Sequence, residues 1–191
     1  LLDDAAFVLD DAGIPAAQGT VEADLYVHVP ESVRDAAPGT APVWLFGHGI
    51  FASPAAYMSM DDDPSGVLDL ADRAGAIVVA TTWRGLTSSD LLTAVNVGND
   101  FGRLPELTDK LAQGVANNLA LSRLVLEGDL LDDPALEGKA DRSALWYYGI
   151  SLGGIEGAVM FANQDRITHG VLHVGGAAWS VDLACIDFSE I

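Results

Sequence analysis

Apolar and polar residues alternate from Val21 to Val29, inside the stretch TVEADLYVHVP that ends at Pro30. A period of two predicts a strand with one buried face, and proline, which cannot donate to a ladder, stops it. Residues 31–42 are rich in proline, glycine and alanine and predict a turn. The run Val43 to Phe46 is continuously apolar and ends in Gly47-His48-Gly49. A short run of this kind, bounded by glycine, fits a strand covered on both faces. Ser53-Pro54 predicts a helix start, with serine as N-cap and proline at the first helical position. The acidic cluster Asp61-Asp62-Asp63-Pro64 interrupts it, and a second helical piece over 65–74 stops at Gly75.

The next buried strand is Ala76 to Ala80. Residues 84–103 are polar and glycine-bearing and predict a small cap or active-site loop. From Leu107 to Leu126 the spacing is helical, with Leu111, Val115, Leu119 and Ser122 on one face. Leu145 to Tyr148 predicts a strand, 152–162 a helix, and Gly170 to Val174 a further strand. From residue 43 onward, strands and helices therefore alternate. Alternation predicts an α/β class: a mostly parallel, doubly wound sheet with helices on both faces. The strand over 20–30 is expected at one edge, antiparallel. The whole of 1–191 is expected to form a single domain.

Composition narrows the partners. The chain has 191 residues, half of them hydrophobic, which suffices for one buried core. It carries 9 basic and 28 acidic residues, a net charge of −19. Nucleic acid is disfavoured, because phosphate binding needs a basic surface, and so is anionic lipid. No apolar run approaches a membrane span, so no stable membrane insertion is expected. The opening Leu1-Leu2-Asp3-Asp4 has no basic region of the kind that starts a signal peptide, and the missing Met predicts trimmed upstream sequence. A single cysteine, Cys185, rules out a disulfide within the chain.

The strongest chemical signal is Gly149-Ile150-Ser151-Leu152-Gly153, between a predicted strand and a helix rich in small residues. A sharp strand-to-helix turn there would lift the Ser151 hydroxyl above the sheet. Flanking glycines would remove side chains that collide at the bend. The helix N-terminus beneath it favours developing negative charge. Ser151 is the candidate nucleophile; a packing turn with an incidental serine is the plainer alternative. Gly47-His48-Gly49-Ile50-Phe51 is the second signal. Acyl transfer creates an oxyanion that needs two preorganised N–H donors. Leu152 and Ile50 are the candidates, with Phe51 adjacent. His48 is expected to shape that loop rather than act as a base.

The segments VWLFGHGIFASP (43–54), AIVVATTWRGL (76–86) and LWYYGISLGG (145–154) resemble the α/β-hydrolase fold family, specifically bacterial esterases and lipases with an HG-x oxyanion loop. The resemblance spans residues 20–180. It implies a Ser–His–Asp/Glu triad, cleavage of a small-molecule or lipid ester through an acyl-enzyme, and no cofactor. It also implies an acid after the seventh strand and a histidine after the eighth, whereas this chain reaches only the sixth. Three readings stay open: a C-terminal segment or second chain completes the domain; His173 and Asp182 (or Asp187) serve as base and acid; or the module is non-catalytic and used for binding or assembly. A peptidase, thioesterase or polyester depolymerase on the same scaffold is a narrower alternative.

The remaining candidates are weaker. His173 lies in an apolar strand, where a hydrogen-bonded core histidine is the ordinary expectation. His28 is expected to face solvent, and His169 to lie at the sheet end away from Ser151. Leu86 and Leu92, with Leu91 and Phe101, are candidates for an apolar acyl pocket or for anchoring their loop. Asp90 and Asp100 are candidates for the site mouth, and Glu156 for the surface or the site's outer support. Asp61 to Asp63 lack EF-hand spacing, so no metal site is assigned.

Overall fold

The computed structural model describes residues 6–59, 65–167 and 169–176. Its elements in chain order are β1 (Tyr26–His28), α1 (Glu31–Arg34), β2 (Ala41–Gly47), α2 (Pro54–Tyr57), α3 (Val67–Ala74), β3 (Ile77–Ala80), α4 (Leu91–Asn99), α5 (Leu104–Glu127), β4 (Ala140–Ile150), α6 (Leu152–Ala162) and β5 (Gly170–His173). The strands form one sheet in the order β1-β3-β2-β4-β5. β1 runs antiparallel to β3 at the edge, and the other three pairings are parallel. The class expected from the alternating pattern is the class observed.

Side-chain alternation divides the core in two. Val43 and Leu45 of β2, Ile77 and Val79 of β3 and Tyr147 of β4 point to one face. There they meet Val115, Leu121 and Val125 of α5 and Leu152 and Met160 of α6. Phe46, Val78 and Ala80 point to the other face and pack on Val67 and Ala71 of α3. The sheet is thus wound with helices on both sides, and all parallel strands end on the edge where residues 48–51, 81–86 and 151 gather. Among the described residues no helix is long and apolar enough to cross a membrane.

Several local expectations need correction. β1 covers three residues, not the whole alternating stretch, because it pairs only with Val78 to Ala80 of the short β3. Residues 31–34, expected as a turn, make a helical turn. β4 begins five residues before Leu145, extended by the polar Asp141-Arg142-Ser143. Residues 84–103, expected to be a loop, are largely helical: 3₁₀ turns at Ser88–Asp90 and Phe101–Arg103 flank α4.

Asp90 explains that last difference. It is buried rather than at a site mouth. Its carboxylate accepts the N–H groups of Gly85 (2.9 Å) and Thr87 (3.1 Å), the Thr87 hydroxyl (2.7 Å) and Lys110 Nζ of α5 (3.2 Å). Burial pushes its carboxyl up, but the Thr87 bonds and Lys110 together hold it below the usual carboxylate range. One side chain thus caps the start of this helical segment and ties it to α5. A buried ion pair is a poor source of net stability but a costly one to break. Asp100, which is exposed, caps its own 3₁₀ turn by accepting the Gly102 N–H at 3.0 Å.

Candidate active site

Ser151 sits alone at the corner between β4 and α6. Its backbone is at φ 53°, ψ −111°, a region that costs a residue with a side chain on the order of 1–3 kcal/mol. Neighbours on both sides hold it there. Ser151 N–H donates to the His173 carbonyl of β5 (2.9 Å), and its own carbonyl accepts from Gly154 (2.9 Å) and Ile155 (3.1 Å). The glycines of the motif are required by contact. A Cβ on Gly149 would lie 2.2 Å from Gly153 O, and one on Gly153 would lie 2.2 Å from Gly47 O. The backbones of β2, β4 and α6 therefore touch at three glycines. Tyr147 of β4 adds a hydroxyl bond to Gly153 O (2.5 Å), and Gly153 N–H reaches the His48 carbonyl (2.9 Å).

The loop after β2 is held just as firmly. His48 is completely buried. Its Nδ1 lies 2.8 Å from Gly49 O, and its Nε2 lies 2.9 Å from Trp83 N. The carbonyl only accepts and the amide only donates, so the proton sits on Nδ1. Burial lowers the pKa of the ring, and the bond to Gly49 offsets that only in part. His48 is thereby a neutral brace between the ends of β2 and β3. Phe51, at φ 51°, spends its N–H on Leu86 O (2.6 Å). That leaves Ile50 as the uncommitted neighbour in the pair considered for an oxyanion donor. Leu152, first residue of α6, has no intrahelical carbonyl to donate to. Gly49 N–H reaches the hydroxyl of Tyr57 at 3.2 Å, a contact with no mark in the local sequence pattern.

The other candidates fall in several places. Ile50 and Phe51 are 45% and 39% exposed, and Leu92 is 71% exposed. Leu86 is buried in the main core, and its carbonyl holds the Phe51 N–H. His173 lies on β5, the last strand among the described residues, and all four residues of that strand are exposed there. Its Nδ1 shares a 2.9 Å hydrogen bond with the Tyr148 hydroxyl. His28 is half-buried, with an electrostatic effect on Asp72. His169 precedes β5 and gives its carbonyl to Tyr147 N–H (3.0 Å). Asp182, Asp187, Cys185 and the cluster Asp61 to Asp63 lie outside the described residues. Among those described, no group of three or more His, Cys, Asp or Glu is placed to hold a metal.

Glu156 departs most from expectation. It lies inside the fold on α6, 8% exposed, where burial pushes its carboxyl up to about 7. The native chain then keeps a proton that the unfolded chain gives up near the ordinary value of 4.5. The Glu156 contribution to stability is accordingly full at acid pH, falls as pH rises through about 7 and is flat above it. Glu156→Gln keeps the volume and removes the charge. It is expected to match the parent at pH 4 and exceed it at pH 8 by on the order of 1–2 kcal/mol, after allowance for screening of an incompletely enclosed group. Urea denaturation at the two pH values measures this.

No protein-family model and no curated protein matches the chain. Solved structures do. An ester hydrolase from the metagenome of Lake Arreo, in complex with a bipyridine phosphonate derivative, is 18% identical with a TM-score of 0.50. The match covers 84% of this chain and 42% of that one, so this chain spans less than half the hydrolase's length. An acylaminoacyl peptidase of Pyrococcus horikoshii is 19% identical over 97% of this chain and 24% of its own, with a TM-score of 0.48. The sheet order, the helices on both faces, the serine corner and the match to the ester hydrolase agree: the chain has the α/β-hydrolase fold.

Proposed function

We propose that the chain is the nucleophile-bearing part of a serine hydrolase that cleaves carboxylic esters through an acyl-enzyme on Ser151. The observation that carries this reading is the serine at φ 53°, fixed between β4 and α6 and bonded through Gly153 to the His48 loop. Backbone strain of this kind persists where the surroundings over-determine it, and it concentrates at reactive residues. In the reading, Ser151 Oγ adds to the ester carbonyl as its proton passes to a base. The carbonyl oxygen takes the charge and is held by the N–H groups of Ile50 and Leu152. The C–O bond to the alcohol then breaks, the alcohol leaves with the proton, and water releases the acid.

The base and acid are assigned to polypeptide outside this chain. His48 is excluded from that role by its two bonds. His173 with Asp182 is the assignment within the chain, and it would require His173 to leave Tyr148. The phosphonate-bound ester hydrolase of the same fold supports the ester reading. The full-length protein treated with a fluorophosphonate probe, digested and mapped by mass spectrometry tests it. The expected adduct is on Ser151, alongside turnover of p-nitrophenyl butyrate. A folded protein with neither adduct nor turnover would instead be a non-catalytic module.

A further inference from the structure

Tyr57 closes α2, two turns of chain beyond the His48 loop. Its ring packs on Phe46, with centroids 5.3 Å apart and planes at 58°. Its hydroxyl oxygen accepts the Gly49 N–H at 3.2 Å. Among the described residues the hydroxyl donates its own proton to nothing. Gly49 shows what lies beside that hydroxyl. A Cβ built on Gly49 would lie 2.5 Å from Tyr57 Oη and 3.7 Å from Ser151 Cβ. The phenol and the serine side chain therefore border one small space, and the absent side chain of Gly49 keeps it open. A phenol that accepts a hydrogen bond is polarised into a better donor.

We propose that Tyr57 is a third donor to the substrate's carbonyl oxygen, alongside the N–H groups of Ile50 and Leu152. The inference rests on Ser151 being the nucleophile. As the Oγ–C bond forms, the carbonyl π pair moves onto oxygen. Tyr57 keeps its proton throughout, and its hydrogen bond strengthens as the charge grows. The contribution is made in the transition state more than in the bound ester, so it appears in kcat.

The test is Tyr57→Phe in the full-length protein, which keeps the ring against Phe46. Removing one oxyanion donor lowers kcat by about 100-fold or more. For a half-buried donor that shares the charge with two amides, the expected loss is about 10- to 100-fold with p-nitrophenyl butyrate, KM staying within about twofold. Affinity for a trifluoromethyl ketone, which forms the tetrahedral adduct, should fall in parallel with kcat/KM. A role confined to loop support would raise KM and lower the melting temperature instead, and that pattern overturns the proposal. 3-Fluorotyrosine at position 57, which restores the O–H, should return kcat to within a few-fold of the parent; failure to do so also overturns it. An active parent whose Tyr57→Phe variant keeps more than half of kcat overturns this inference alone. A parent with no adduct and no turnover overturns the Ser151 reading and this inference with it.

Discussion

Replacing Ser151 with alanine is expected to abolish fluorophosphonate labelling and to lower ester turnover by at least about 10⁴-fold. The hydroxyl is the only atom lost, and without it no acyl-enzyme forms. The residual rate would come from the Ile50 and Leu152 amides holding the carbonyl oxygen while water attacks the carbon. Ser151→Gly should be just as inactive, but its stability should differ. Serine and alanine both carry a Cβ into the φ 53° corner, whereas glycine enters it freely. The glycine variant is expected to be more stable than the alanine variant by about 1 kcal/mol, read from urea denaturation. Turnover in Ser151→Ala above a tenth of the parent would mean that another group does the chemistry.

Gly153→Ala is expected to be severely damaging for a single methyl. The added carbon would sit 2.2 Å from Gly47 O and 2.4 Å from Gly47 C. Both are backbone atoms of a central strand, so no rotamer change relieves the overlap. Either α6 or β2 must move, and the bonds from Gly153 N–H to His48 O and from Tyr147 to Gly153 O are lost with it. The expected cost exceeds about 4 kcal/mol, a large share of the stability of a domain this size. Soluble yield and urea midpoint measure it. Gly98→Ala is the control: a Cβ there meets nothing within 4 Å, and removing a helix-interior glycine in α4 should stabilise by about 0.5–1 kcal/mol. If both variants behave alike, close packing at the serine corner is not what holds it.

Much of this architecture was legible because burial writes itself into sequence. Val43 to Phe46 and Ala76 to Ala80 are apolar on both faces because helices cover both faces. The serine corner was legible because three backbones touch there and only glycine fits. Interactions that are long-range and polar left no such trace. Asp90 was a candidate for the site mouth, and nothing beside it in sequence points to Lys110, since the two meet only after 20 residues of helix and turn have folded. α4 reads as a loop because Thr93, Asn96 and Gly98 are weak helix formers; its packing on α5 and the Thr87–Asp90 cap override that preference. Glu156 was expected at the surface or in the site's outer support, and its burial on α6 had no local mark because carboxylates seldom go inside. His173 was expected to be a hydrogen-bonded histidine in an apolar strand; its bond is to the Tyr148 hydroxyl on the neighbouring strand, a partner that no local pattern names.

The brace at His48 sets how this protein should respond to acid. Protonating an imidazole that is neutral in the fold places a charge in a buried site, and a charged ring can no longer accept the Trp83 N–H at Nε2. Below the ordinary imidazole value of 6.5, the unfolded chain binds a proton that the native chain refuses, so stability drains away as pH falls toward the lowered native value. The loss begins where β2 and β3 are pinned together, beside the loop that faces Ser151. Acid inactivation would therefore include the loosening of a scaffold, and an acid limb in a rate profile would carry that loss together with the titration of any catalytic base.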